Sequence, residues 1–149
     1  MSDWHGQLVD DDAGLATILR ESRTVAVLGA KDDPSAAAHY VPAYLHARGY
    51  RIVPVNPKLA GHRLHDASTV ARLADLPEPV DLIEVFRRPE YLEGHAAEIL
   101  ALPWRPRTVW FQLGIRNDEA AEKLARAGIR VVQDRCMMPE HRRLTSTGL

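Results

Sequence analysis

The stretch TVAVLGAK, residues 24–31, is an apolar and β-branched run that stops at a glycine. Five such residues in a row have the length of a buried strand, and Gly29 permits the sharp turn that must follow. Residues 35–48 then show helical spacing and are followed by Gly49, a residue type that commonly ends a helix. This stretch therefore predicts a strand, a tight turn and a helix in direct succession.

The same alternation of strand and helix recurs along the rest of the chain. Pro54, which has no N–H group, suggests a strand end or a locally unpaired position within its run. The polar tail from Pro139 is predicted to fray beyond Arg143. Further strands are predicted at 51–55, 80–86, 108–112 and 129–132, and helices at about 11–21, 68–74 with Ser68 as N-cap, 89–102, and 117–127 with Asn117 as N-cap.

Strands that alternate with helices form a parallel sheet with right-handed crossovers and helices on both faces. The predicted fold class is α/β: a Rossmann-like three-layer sandwich with a mainly parallel sheet of five or six strands. We expect one domain over residues 1–149, with its core at about 14–144.

Composition excludes several other classes of protein. The 149 residues are 46% hydrophobic and 26% charged, with 19 basic against 20 acidic side chains, so neither disorder nor a nucleic-acid or membrane partner is indicated. The N-terminus lacks the basic and apolar regions of a signal peptide. A single cysteine, Cys136, rules out an intramolecular disulfide, and we expect a cytoplasmic protein.

Ligands of parallel sheets bind beyond the carboxyl ends of the strands, so the residues after each strand are the candidates for function. Gly29, Ala30 and Lys31, with a helix that starts near Ser35, could hold a phosphate, or could form only a tight turn. Asn56 stands where NAD-binding domains usually carry an acid, and the three-glycine fingerprint is absent, so NAD fits poorly.

Several other strand ends allow both a binding and a structural reading. Lys58 and Arg63 could meet an additional ribose phosphate or could be solvated loop charges. The segment 86–89, an aromatic residue, two arginines and a proline, suits a flat base and a phosphate, or a core residue with a charged edge. Gln112 and Gly114 could hydrogen-bond a ligand or simply form a turn.

Catalytic and metal-binding motifs are not found in the sequence. Cys136 lies beside Arg135, whose charge would favour a thiolate, but a buried and inert cysteine is the plainer reading. His62 and His65 have the spacing of a ligand pair without further ligands, so no metal site is expected. No nucleophile elbow, Walker A loop or pair of acids on one helix occurs.

Six short strings, in this order and spacing, closely resemble the family of small stand-alone CoA-binding proteins. That family is similar to the N-terminal domain of the succinyl-CoA synthetase α subunit, and the resemblance covers about residues 14–144. The strings are VAVLGA (25–30), HYV (39–41), GYRIVPVNP (49–57), VFRRP (85–89), VWFQLGI (109–115) and DRC (134–136).

The resemblance implies a Rossmann-like fold with coenzyme A, or an acyl-CoA, at the carboxyl ends of the strands. Gly29, Ala30 and Lys31 would then hold the pyrophosphate, with the helix from Ser35 behind them. The residues beside the nucleotide would be Asn56, Pro57 and Lys58, those on the adenine and ribose side Phe86, Arg87 and Pro89, and those near the pantetheine Gln112, Leu113 and Gly114.

Several functions remain open at this point. A module that binds CoA without turning it over is expected first, because the ligase subunit's second domain, which carries the phosphorylated histidine, has no counterpart in 149 residues. The alternatives are a subunit of an acyl-CoA ligase-type enzyme, thiol-dependent CoA chemistry at Cys136, and an NAD(P)-binding regulatory domain. A homo-oligomer or a partner enzyme is compatible with each of them.

Overall fold

Residues 3–145 are described by the computed structural model, and they form seven strands and five α-helices. The strands are β1 (Thr24–Leu28), β2 (Arg51–Val55), β3 (Arg63–Leu64), β4 (Ala67–Ser68), β5 (Leu82–Val85), β6 (Thr108–Phe111) and β7 (Arg130–Val132). The helices are α1 (Asp12–Glu21), α2 (Ala37–Ala47), α3 (Leu92–Leu100), α4 (Asp118–Arg126) and α5 (Met137–Thr145). Short 3-10 helices cover Trp4–Gln7, Pro57–Leu59, Leu73–Asp75 and Pro89–Tyr91.

Five of the strands form one parallel sheet in the order β2-β1-β5-β6-β7. Single bridges, Val55 to Val70 and Leu8 to Val131, extend its two edges without adding a full strand. The chain leaves β1 to one side to form β2 and to the other side to form β5, so the strand order reverses between β1 and β5. The predicted Rossmann-like α/β fold is confirmed, and this reversal is where such sheets bind ligands.

Alternate residues of each strand enter two separate cores. Val25 and Val27 of β1 pack with α1, α2 and α5, whereas Ala26 and Leu28 pack with α3 and α4. Both faces of the sheet are thus covered by helices, which explains why the strands read as continuous apolar runs. None of the helices within residues 3–145 is long and apolar enough to span a membrane.

The prediction of a helix near residues 68–74 is wrong. Ser68 belongs to β4, which forms a small antiparallel hairpin with β3, and only Leu73–Asp75 make a single 3-10 turn. The extended chain is held against the sheet edge, because the Val70 N–H donates to the Pro54 carbonyl at 3.0 Å and the Asn56 N–H donates to the Val70 carbonyl at 2.9 Å. Pairing with the exposed edge of β2 thus outweighs local helical preference.

Pro54 lies inside β2, in register with Val27 of β1. Its carbonyl accepts from Val70 on the outer edge, and the N–H and C=O of a strand residue point to the same side. The missing N–H therefore faces away from β1 and removes no hydrogen bond from the ladder, as expected for a proline on an edge strand.

The polar tail begins as a helix. Helix α5 continues to Thr145, two residues past the point where fraying is predicted, and residues 146–149, on which most of that prediction falls, lie outside the described residues. Tertiary contacts hold this helix: its Met137 N–H donates to the buried Gln112 Oε1 at 3.1 Å, and Arg143 pairs with Asp12 of α1 at 2.8 Å.

Candidate functional site

Two neighbouring clefts open at the carboxyl ends of the strands, around the reversal point. The first, here the β2 cleft, has a volume of about 670 Å³ and lies over the ends of β1, β2 and β5 beside α3. The second, here the β6 cleft, has a volume of about 460 Å³ and lies between the ends of β5 and β6 and the start of α2. Lys31, Phe86 and Arg87 line both clefts, so the two clefts adjoin at these three residues.

Gly29 brings the ends of β1 and β5 together. Its φ is +89°, and a Cβ at this position would lie 2.5 Å from the Phe86 carbonyl oxygen. Only glycine satisfies both the left-handed backbone and this close approach. The turn after β1 therefore runs directly over the tip of β5, and this places Lys31 between the clefts.

Asn56 ties the turn after β1 to the end of β2. Its Nδ2 donates to the Ala30 carbonyl at 2.7 Å, while its Oδ1 accepts from the Lys58 N–H at 2.9 Å. Asn56 stands where NAD-binding domains carry the acid that binds the ribose, and its side chain already holds this loop in place. Pro57 begins the 3-10 helix that follows, and Lys58 extends from it beside the β2 cleft.

Helix α2 begins without a side-chain cap, at Ala37 rather than at Ser35 as predicted. Asp33 explains the later start: its carboxylate accepts from both the N–H and the hydroxyl of Ser35, which keeps Ser35 in the preceding turn and lowers the pKa of Asp33. Because the N-cap is an alanine, no side chain accepts from the first-turn N–H groups. Ala37 and Ala38 line the β6 cleft, so the positive end of the helix dipole opens onto it.

Cations dominate the charged side chains around the clefts. Lys31, Lys58 and Arg88 make no ion pair with any residue that the structure describes, and Arg87 also lines both clefts. Asp32 and Glu98 are the acids at the β2 cleft. A chain with a net charge of −1 therefore concentrates positive charge where its helix dipole also favours an anion.

Most of the predicted site residues come together here, but four do not line either cleft. Ala30 is buried beneath the loop, the Ser35 hydroxyl is bound to Asp33, and the Gly114 N–H donates to the Asp134 carboxylate at 2.7 Å. Arg63 lies in the β3–β4 hairpin, where its guanidinium donates to the Asp66 carbonyl at 2.9 Å and borders a different cleft. The residues that line one or both clefts are Gly29, Lys31, Asn56, Pro57, Lys58, Phe86, Arg87, Pro89, Gln112, Leu113 and Cys136.

Cys136 lies where the β6 cleft meets a third, polar cleft of about 770 Å³ beside β7. Its neighbour Arg135 points elsewhere: the guanidinium donates to the Asp10 carbonyl at 3.0 Å and lies 3.5 Å from the Glu140 carboxylate. The cation expected to favour a thiolate is therefore engaged with other groups.

Sequence reasoning missed several side chains of the clefts. Tyr40 of α2 lines the β6 cleft, whereas Arg72, His95 and Glu98 line the β2 cleft. The i, i+3 spacing of His95 and Glu98 on the predicted helix after Pro89 was the available signal, because such residues lie side by side on one helix face.

Histidines cluster at a separate position, between α2 and the β3–β4 hairpin. The ring centroid of His65 lies 4.9 Å from that of His39 and 6.4 Å from that of His46. Burial and the two neighbouring imidazoles lower the pKa of His65 to about 4. Across residues 3–145, no group of three His, Cys, Asp or Glu side chains is placed to hold a metal ion.

Comparison with known proteins defines the class of this chain. A model of the CoA binding domain family matches residues 23–142. A Bacillus subtilis (strain 168) protein, YneT, is 34% identical over 129 residues, which cover 87% of this chain and 93% of YneT. The chain therefore belongs to the CoA-binding domain family, as the resemblance implied.

Solved structures support the same fold. The protein "cell-free ID.343" from Thermus thermophilus is 52% identical, with a TM-score of 0.86, and the match covers 91% of this chain and 99% of that chain. The dinucleotide-forming acetyl-coenzyme A synthetase 1 of Ca. Korarchaeum cryptofilum is 18% identical, with a TM-score of 0.62, over 76% of this chain and 27% of that chain. This more distant likeness shows a shared fold alone.

Proposed function

We propose that this protein binds coenzyme A, or an acyl-CoA, across the β2 and β6 clefts without turning it over by itself. The observation that carries the proposal is the junction of the two clefts at Lys31, Phe86 and Arg87, beside the uncapped start of α2. An elongated ligand with anionic groups in its middle suits two clefts that adjoin at cations, and membership in the CoA-binding domain family favours CoA.

The nucleotide is assigned to the β2 cleft. Pro57 and Lys58 stand beside it, and Phe86 with Arg87 offers an aromatic face and a cation for the base and phosphates. Asn56 has no carboxylate to accept from both ribose hydroxyls, and its amide already bonds to Ala30 and Lys58. This favours CoA over NAD.

The pyrophosphate is assigned to the start of α2 and the pantetheine arm to the β6 cleft. The free N–H groups of Ala37 and Ala38 suit the diphosphate, with Lys31 as a neighbouring cation. From there the arm would run past Gln112 and Leu113 to Cys136. Leu113, whose side chain is exposed, offers the arm an apolar contact.

Intact-mass spectrometry under native conditions tests this proposal without prior choice of ligand. The protein is purified without added nucleotide, and a molecule that co-purifies with it is released and identified. CoA or an acyl-CoA supports the proposal, and an acyl-CoA also reveals the acyl group. Retained NAD or NADP instead would contradict it.

A further inference from the structure

The guanidinium of Arg87 is held on two sides by residues that follow it in the chain. Its Nε–H donates to Nε2 of His95 at 3.2 Å, and its central carbon lies 4.9 Å from the centroid of the Tyr91 ring. Nδ1 of His95 in turn lies 3.0 Å from Oε1 of Glu98. Three hydrogen-bonded side chains, those of Glu98, His95 and Arg87, thus extend from α3 to the point where the two clefts meet.

The two hydrogen bonds of His95 define which of its nitrogens carries the proton. A neutral imidazole has one N–H and one acceptor nitrogen. Because Nε2 accepts from Arg87, the proton is on Nδ1 and is donated to the Glu98 carboxylate. Glu98 therefore selects the tautomer of His95 that can accept from Arg87, as carboxylates do for histidines in other polar sites.

We infer that His95 and Glu98 are positioning residues, which aim the remaining N–H groups of Arg87 at the phosphates of a ligand in the two clefts. The inference rests on the proposed CoA function. Within the described part of the chain, Arg87 makes no other hydrogen bond, so its terminal nitrogens are available to a ligand. A fixed guanidinium loses less conformational freedom when the ligand binds.

Replacement of Glu98 is the sharpest test of the inference, because charge repulsion and positioning predict opposite changes in CoA affinity. A carboxylate at an anion site repels phosphates, so charge alone predicts that its removal strengthens CoA binding. Positioning predicts the opposite for Glu98→Ala, since His95 would then be free to carry its proton on Nε2 and could no longer accept from Arg87. We expect CoA to bind about threefold to tenfold more weakly, the scale of one lost ordinary hydrogen bond.

Glu98→Gln is the matched variant. The glutamine carbonyl still accepts from Nδ1–H of His95 but carries no charge, so CoA affinity should equal or exceed that of the wild-type chain. Nitrogen NMR of the labelled imidazole should show the Nδ1–H tautomer in the wild type and in Glu98→Gln, but a shift toward Nε2–H in Glu98→Ala. An effect of Glu98 that does not pass through its hydrogen bond to His95 would leave this signal unchanged.

A double-mutant cycle separates positioning from a direct contact. His95→Leu should weaken CoA binding in the wild-type chain but have no further effect in an Arg87→Ala background. His5→Leu is the control, since His5 also pairs with a carboxylate, that of Asp3, but lines neither cleft. Additive effects of Arg87 and His95, or tighter binding by Glu98→Ala, would overturn the inference while leaving the CoA function intact. A wild-type chain that binds no CoA would overturn both.

Discussion

Arg87 lies where the β2 and β6 clefts meet, and it lines both clefts, as the cation Lys31 also does. Replacement of Arg87 by alanine should weaken CoA binding by about 1–3 kcal/mol, the value of a charge-assisted hydrogen bond in a partly dry cleft. Isothermal titration calorimetry measures the loss, and circular dichroism should show an unchanged fold. Arg51→Ala is the control, because Arg51 is exposed at the amino end of β2; equal affinity of the Arg87 variant and this control would contradict the assignment.

Cys136 is placed where the pantetheine arm should end, at the junction of the β6 cleft and the cleft beside β7. With CoA disulfide as oxidant, its thiolate should displace one CoA thiol and form a mixed disulfide with the other. The intact mass should rise by one CoA moiety, and the adduct should be absent from Cys136→Ser. A protein that stays unmodified while a small thiol reagent labels Cys136 would contradict this expectation.

Glu84 is a carboxyl group buried in the middle of the sheet, in register with Val27 and Trp110. Neither of its oxygens has a hydrogen-bond partner, and burial raises its pKa to about 8. The folded state therefore holds Glu84 protonated at neutral pH, whereas the unfolded chain ionises it above its ordinary value of 4.5. The free energy of unfolding therefore decreases as the pH rises from about 4.5 to 8.

Glu84→Met should consequently stabilise the fold, and by more at pH 8 than at pH 5, since each pKa unit corresponds to about 1.4 kcal/mol. Urea unfolding at several pH values measures the difference in free energy of unfolding. Glu119→Met, at an exposed position of α4, is the control and should show no such trend. A Glu84→Met effect that does not grow with pH would mean that Glu84 finds a partner in solution.

For single residues, the sequence predicted well which of them follow each strand, because a strand ends where its apolar run ends. It could not predict how those residues are used. Asn56 and Gln112 are engaged by neighbouring backbone groups, and Glu84 was hidden inside an apolar run whose pattern gives burial but not hydrogen bonding. Such partners come from other segments of the chain, at distances that local spacing does not contain.

Among the elements, the β3–β4 hairpin depends on a titratable group. His65 sits at its turn with a φ of +54°, packed against His39 and His46. Its pKa in the folded state, about 4, lies below the ordinary 6.5, so its contribution to stability is present above pH 6.5 and is lost as the pH falls from there toward 4. Acid should therefore loosen the hairpin from α2 and β2.

Hydrogen exchange of the Thr69 and Val70 amides measures this loosening, since these N–H groups bond to His62 and Pro54. Their protection factors should fall between pH 6.5 and 4 in the wild-type chain, and by less in His65→Asn. Asparagine tolerates the left-handed backbone and does not titrate in this range. Equal pH dependence in both proteins would place the effect on another group.

Elements with strong internal patterns were predicted best, and elements held by tertiary contacts were predicted worst. The apolar runs of β1 and β2 and the Asn117 cap of α4 are local signals that the structure confirms. The hairpin instead forms by pairing Val70 with the edge of β2, and the last turn of α5 is supported by Arg143 and Asp12. Neither partner is close in sequence.

For the whole molecule, alternation of strands and helices was sufficient to predict a parallel sheet with helices on both faces. It could not give the strand order, because order depends on which edge each crossover returns to. The order β2-β1-β5-β6-β7 places the reversal between β1 and β5, where Gly29 meets Phe86. The proposed function depends on this reversal, because the connections that follow β1 and β5 diverge there and leave a crevice beyond the strand ends.

Calorimetric titration of the protein with CoA, NAD and ATP in one buffer tests the central claim most directly. The side chain of Asn56 is already bound within the loop, and Lys31, Lys58 and Arg87 line the two adjoining clefts. CoA should bind more tightly than either NAD or ATP. NAD that binds as tightly as CoA, or more tightly, would contradict the assignment.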